Sequence, residues 1–145
     1  MSLDGPAQES LLERFNALIP GTLMETLQMR YVGVDPEAPM LQMAMPVGPA
    51  VHQPAGLLHG GVSAALAESV GSAASALLLS DPDQYHILGT HLQCHHLRSA
   101  REGTITATAR CVHGGRTSHL WEIKVCDEQD KLLSHCHLTN RIIPK

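Results

Sequence analysis

His59-Gly60-Gly61-Val62-Ser63-Ala64-Ala65-Leu66-Ala67-Glu68-Ser69-Val70-Gly71-Ser72-Ala73-Ala74-Ser75-Ala76-Leu77-Leu78-Leu79 is the stretch on which the reading of this chain turns. From Val62 onward every residue except Ser63, Glu68, Ser69, Gly71, Ser72 and Ser75 is Ala, Val or Leu. Such a run reads as a helix built for burial rather than one with a charged, solvated face. Begun at Gly60 and ended near residue 79, it would run roughly 30 Å at about 1.5 Å per residue. Ala64, Ala65, Glu68, Ser72 and Ser75 fall on one side of it at i, i+3 and i+4 intervals. Glu68 is its single charge, and no Arg or Lys occurs between Arg30 and Arg98 to pair with it. An ionised carboxylate buried without a partner is costly, which makes Glu68 the first candidate for a catalytic group. Ser72, one turn further on, is placed to orient it.

The residues leading into the helix add to this. Val51-His52-Gln53-Pro54-Ala55-Gly56-Leu57-Leu58 precedes His59-Gly60-Gly61 and sets a His, two sterically open amides and an acid in one segment, expected to lie within reach of each other. The first amides of a helix have no intrahelical acceptor, and the peptide dipoles sum to about +0.5 charge there. A carbonyl oxygen that gains charge in a transition state could be held at such a terminus. The plainer reading is a glycine-rich turn with His59 as a capping residue and Glu68 facing a water-filled groove. The residues by themselves leave both open.

Length and composition narrow the possibilities. A chain of 145 residues with 43% hydrophobic content suits one globular domain over residues 1–145. Ten basic against fourteen acidic side chains, with one Trp, one Phe and two Tyr, give neither a basic surface nor stacking platforms for nucleic acid. Glu68 and the serines interrupt the longest apolar run, and Met1-Ser2-Leu3-Asp4-Gly5 lacks the basic-then-apolar pattern of a leader, so no membrane partner and a cytoplasmic location are expected. Cys94, Cys111, Cys126 and Cys136 form no CxxC pair and sit in strand-like segments, the pattern of reduced, packed thiols. Ten histidines raise the question of a metal, chiefly at His91, His95, His96, His135 and His137. On strands His91 and His95 share a face, His96 takes the other, and His135 and His137 share a face without an evident third ligand, so no metal is expected.

Working outward from the helix, residues 10–18 carry Leu11, Leu12, Phe15 and Leu18 at helical spacing and predict a short amphipathic helix before Pro20-Gly21. A further turn is expected over 22–27. Strands are expected over 29–34 and 40–47 before the helix, then 85–97, 103–113, 118–126 and 131–142 after it. The alternation of Thr104, Thr106 and Thr108 with Ile105, Ala107 and Ala109, and of Trp121, Ile123 and Val125 with Glu122, Lys124 and Cys126, marks an antiparallel meander. Gly114-Gly115-Arg116-Thr117 and Asp127-Glu128-Gln129-Asp130 are short enough to be hairpin turns. One long helix among six strands implies an α+β fold in which a curved antiparallel sheet wraps the helix, and the small Ala, Gly and Ser side chains allow close approach.

These residues resemble a known family, the hotdog-fold acyl-CoA thioesterases of the phenylacetate-degradation-like branch. The resemblance spans Met40 to about Ile142. It is carried by His52-Gln53-Pro54, Gly56 to Gly61, Ala65-Leu66-Ala67-Glu68-Ser69, Gly71-Ser72, Gly89-Thr90, His96 with Arg98, Gly115-Arg116, Trp121-Glu122-Ile123 and Asp127-Glu128-Gln129. It implies hydrolysis of an acyl-CoA or aryl-CoA thioester, with Glu68 as nucleophile or general base and Ser72 beside it. Gln53, His59 and the Gly60 amide would come from a second protomer, the amide polarising the thioester carbonyl. His96 would line the acyl pocket, while Gly89, Arg98, His113, Gly115 and Arg116 would meet the pantetheine or nucleotide of CoA. No cofactor beyond the thioester substrate is implied, and the assembly would be a homodimer paired again into a homotetramer. A carrier-protein donor in place of CoA stays open.

Three positions depart from the branch: Ser99 for the usual Pro after the Arg, Ala55 where an aromatic is frequent, and His95 before His96. The small Ala55 predicts room for a different or bulkier acyl group. The competing readings are a hotdog module that binds acyl-CoA without turnover, and hydratase or dehydratase chemistry on the same fold. A pure binder has no use for an acid aimed at the carbonyl, which favours hydrolysis.

Overall fold

The computed structural model describes residues 5–145; residues 1–4, most of the stretch expected to lack a leader pattern, lie outside the described residues. Helix α1 spans Gly5–Asn16 and α2 spans Leu23–Thr26. Strands β1 (Arg30–Asp35) and β2 (Met40–Pro46) follow, then α3 (Gly60–Ala74) and a 3-10 extension, Ser75–Leu78. Strands β3 (Tyr85–His96), β4 (Thr104–Gly114), β5 (Ser118–Cys126) and β6 (Leu132–Pro144) complete the chain. They form one six-stranded sheet in the order β1-β2-β4-β5-β6-β3. Every neighbouring pair is antiparallel. This is the hotdog architecture, a curved sheet around one central helix.

Alternation fixes which face meets the helix. Ile105, Ala107 and Ala109 on β4, Trp121, Ile123 and Val125 on β5, and Cys136 and Leu138 on β6 are all at most 1% exposed. Against them α3 turns Ser63, Leu66, Ala67, Val70, Gly71 and Ala74, the i, i+3, i+4 stripe expected of a half-buried helix. Gly71 is required by this packing: a Cβ there would lie 2.7 Å from Leu138 Cδ2 and 3.2 Å from Ile123 Cδ1. Length and hydropathy would suit residues 60–78 to a bilayer span, but α3 lies on the sheet and contacts every strand from β2 to β6.

Beyond shifts of one or two residues in α2 and the strands, three helix boundaries differ from the sequence expectation for physical reasons. Helix α1 starts at Gly5 rather than near residue 10, with Pro6 in the first turn where its missing N–H costs nothing. It ends before Leu18 because the Asn16 amide pairs both ways with the Tyr31 backbone, at 2.9 and 3.0 Å, leaving Leu18 65% exposed. The central helix stops being α-helical at Ala74 instead of running to residue 79. Ser75, expected on the Glu68 side, is fully buried, and its hydroxyl receives Trp121 Nε1 at 2.9 Å and Asn140 Nδ2 at 2.8 Å. With both lone pairs used, the hydroxyl proton goes to His119 Nδ1 at 2.9 Å, which fixes the imidazole as the Nε2–H tautomer. Burial holds the His119 pKa below its ordinary value, against a raising hydrogen bond to the Gly115 backbone.

The four cysteines are free, as expected. Cys94 and Cys136 are register partners on β3 and β6. Burial pushes both thiols upward, leaving them protonated and poorly reactive.

Candidate active site

Helix α3 begins with His59 as its N-cap, the imidazole Nδ1 accepting from Gly61 N at 2.9 Å. The Val62 and Ser63 amides turn back onto the His59 carbonyl at 3.0 and 3.3 Å, while the Gly60 N–H has no partner among the described residues. The capping and catalytic readings of His59 therefore coexist: Nδ1 holds the helix start, and the exposed ring keeps Nε2–H free to donate. Gln53, half-buried, sits in the preceding turn with Oε1 receiving the Ala55 N–H, which leaves its amide nitrogen as the donor. Ala55 itself is exposed at the tip of that turn.

Strand β3, an edge of the sheet, carries the other half of the surroundings. His96 Nδ1 meets Ser134 Oγ at 2.7 Å, and Nε2 would lie 2.9 Å from a Cβ on Gly60, so this ring faces the helix start. Two turns along the helix, Glu68 lies directly over Gly89: a Cβ on that glycine would stand 2.5 Å from Glu68 Oε1. Glycine is what gives the carboxylate its place on the strand.

Two expectations need correction. Glu68 is exposed in the single protomer rather than buried, because α3 turns Leu66, Ala67 and Val70 into the core and leaves Glu68 over the exposed Gly89 of the edge strand β3. Nor are the Gly60 amide and Glu68 within reach of one substrate atom in the same chain. Eight residues of helix separate them, about 12 Å at 1.5 Å per residue, against the few ångströms a thioester carbonyl allows.

The remaining candidates divide between the two ends of α3. Arg98 stays at the N-terminal end near His96, with Nη1 donating to the Leu132 carbonyl at 3.1 Å. His113, Gly115 and Arg116 form the β4–β5 hairpin, which meets the far end of the helix where a Cβ on Gly114 would touch Leu78 Cδ1 at 3.0 Å. His113 Nε2 packs on Gly115, whose N–H closes the turn onto Ser118 O at 2.9 Å. Gly60 and Leu78 are roughly 27 Å apart along the helix, so one chain does not bring the two groups together. Ser72 is half-buried and opens onto a cleft of about 590 Å³ between α1 and the end of α3, lined also by Leu11, Arg14, Phe15, Ala76, Leu77 and Ile87. The sequence reading missed the contribution of α1; the apolar spacing of Leu11, Phe15 and Leu18, read only as an amphipathic helix, was its only signal.

Comparison with known proteins agrees with the fold. Residues 55–134 match the family model described as the thioesterase superfamily. The proofreading thioesterase EntH of Cronobacter turicensis is 38% identical over 132 residues, 91% of this chain and 93% of that protein. The 1,4-dihydroxy-2-naphthoyl-CoA hydrolase of Escherichia coli K12 is 35% identical over 132 residues, 91% of this chain and 94% of its own length. Among solved structures, a point mutant of the thioesterase PA1618 from Pseudomonas aeruginosa superposes with a TM-score of 0.87 at 40% identity, covering 92% of this chain and 94% of that one. The sheet wrapped on α3, the glycine-rich helix start and these likenesses lead to one conclusion: the chain belongs to the thioesterase superfamily and is a hotdog-fold thioester hydrolase.

Proposed function

We propose that the protein hydrolyses acyl-CoA or aryl-CoA thioesters to the free acid and CoA in sites shared between two copies of the chain, with Glu68 as the reacting carboxylate. The observation that carries this is the separation just described. The unpartnered Gly60 amide and the Glu68 carboxylate are the two groups such a reaction needs, and about 12 Å of rigid helix keeps them apart within one protomer. A second copy would bring its own Gly60, His59 and Gln53 to this chain's Glu68. The twelve-residue strand β3 has a free edge along which the two sheets would pair, and Gly89, His96 and Cys94 lie on it.

In the proposed reaction Glu68 takes a proton from water as the water oxygen bonds to the acyl carbon. The carbonyl oxygen becomes an oxyanion facing the Gly60 N–H, and the C–S bond then breaks to release thiolate. A thiol pKa of about 8.5 makes a strong acid at the leaving group unnecessary. Attack by Glu68 itself, through an anhydride that water opens, uses the same placement. Only water and the thioester take part. Arg98 from one side and His113, Gly115 and Arg116 from the other would meet the CoA moiety, and the cleft beyond Ser72 would take the acyl group. Pairing of dimers into a tetramer and a cytoplasmic location belong to the same proposal.

The test is thiol release from a panel of aromatic and aliphatic acyl-CoAs, with the acid product identified by mass. Turnover of at least one of them supports the proposal. Tight binding of CoA esters with no turnover of any would assign the chain to acyl-CoA binding without catalysis.

A further inference from the structure

The sheet face turned away from α3 carries a cluster that the thioester site does not use. Strands β5 and β6 pair with Glu122 opposite His137 and Lys124 opposite His135. His135, His137 and Glu122 are half-buried side chains on this outer face, because Ile123, Cys136 and Leu138 between them point to the core. The third ligand that the sequence did not reveal beside His135-Cys136-His137 is thus supplied across the strand pair. His135 Nε2 lies 3.0 Å from Glu122 Oε2, the two imidazole rings are 5.1 Å apart and tilted by 60°, and one ligand atom from each residue lies within 4.8 Å of the others.

We propose that Glu122, His135 and His137 form a metal site for a divalent ion of the zinc class, with water in the remaining position. Two imidazoles and one carboxylate are a recurrent donor set for Zn²⁺. Tetrahedral bonds of 2.0–2.1 Å put ligand atoms about 3.3 Å apart, so the Glu122–His135 pair is already close to that separation. The His137 ligand atom lies within 4.8 Å of the other two, and side-chain rotation at a half-buried position brings it to that separation. A strand holds i and i+2 side chains on one face, and the hydrogen-bonded ladder holds the third residue opposite, so the backbone needs no change. The neighbours on this face are Arg110 opposite Glu122, Lys124 opposite His135, and Gln93 and His95 opposite His137 and His135. Arg110 and Lys124 are exposed on long side chains, so their charges lower the affinity without occupying the site. Metal here would fasten β5 to β6 on the sheet face opposite the one that carries α3 and Glu68.

The experiment uses the full chain, freed of metal with a chelator, titrated with Zn²⁺ in a calorimeter and with Co²⁺ in a spectrophotometer. Expected are one Zn²⁺ per chain, the visible bands of tetrahedral Co²⁺, and a Zn²⁺-dependent rise in Tm. Each of Glu122→Gln, His135→Ala and His137→Ala should weaken Zn²⁺ by at least about tenfold and abolish the Tm rise. His91→Ala and His95→Ala should bind as wild type does. Metal-free Tm of each variant verifies folding, and Glu122→Gln, which keeps the side-chain shape, serves where a His variant fails. Thiol release should be unchanged in Glu122→Gln and His137→Ala. No Zn²⁺ uptake by wild type, uptake undiminished in Glu122→Gln, loss in His91→Ala or His95→Ala, or a thiolate charge-transfer band with Co²⁺ would each overturn the proposal.

Discussion

Replacing Gly89 by Ala isolates the placement of Glu68 from its charge. The backbone at Gly89 is outside the left-handed region, so alanine fits there without strain. Its Cβ would stand 2.5 Å from Glu68 Oε1 and at an ordinary 3.4 Å from Glu68 Cδ and Leu138 Cδ1. Restoring a 3.4 Å contact from 2.5 Å moves the carboxylate oxygen by about 0.9 Å, and a misplacement of about 1 Å in a reacting group can cost about 10²-fold. That corresponds to about 2.7 kcal/mol in the barrier. The fold should barely notice, because what moves is the free end of an exposed side chain and the strand loses a glycine. The assay is kcat and KM by thiol release alongside thermal unfolding. Gly48→Ala serves as control, since that residue is extended and has nothing within 4 Å of its Cβ position. The expected result is a kcat lower by about 10² with little change in KM and a Tm within a few degrees of wild type. A folded Gly89→Ala enzyme with kcat within about twofold of wild type would refute the reasoning.

Three further outcomes follow from the same geometry. Ser75→Ala strips the acceptor from Trp121 Nε1 and one proton of Asn140 Nδ2 and the donor from His119; denaturant unfolding should show a loss of about 2–4 kcal/mol, with the rate per folded molecule retained. Because His119 has a lowered pKa in the folded state, the unfolded chain binds its proton first as pH falls, so stability should decline from about pH 6.5 downward through the folded pKa; urea melts across pH should show a shallower slope for His119→Phe. Glu68→Gln and Gln53→Ala, each inactive alone, should regain activity when mixed and reassembled, since one of the two sites in a mixed dimer is then intact. Absence of recovery in verified mixed dimers would place both groups in one protomer.

What the sequence made legible was whatever repeats locally. The Thr/Ile/Ala alternation of β4, the Trp/Glu/Ile alternation of β5 and the Ala-rich helix each carry their own period, and the helix start at Gly60 was marked by its glycines. Illegible were the features set by register. The irregularities at Gly89/His91 and Cys111/His113 shift which residues of β3 and β4 share a face, and no local period announces them. Ser75 looked like a site residue because its partners His119, Trp121 and Asn140 are 44 to 65 positions away. Glu122 was hidden as a partner of His135 for the same reason. Glu68 stood out as the only charge of its helix, but the sequence left its exposure undecided: an apolar helix reads as buried on all sides, whereas one protomer covers only the face that meets its sheet.

The most direct test of the account is the single-turnover rate of Glu68→Gln on the best acyl-CoA substrate, with CoA-ester binding measured in parallel. The substitution keeps the side chain's shape over Gly89 and removes only its charge. The account predicts a rate lower by about 10² or more, with binding and Tm preserved. A Glu68→Gln protein that cleaves the thioester as fast as wild type would contradict it and move the chemistry to another group.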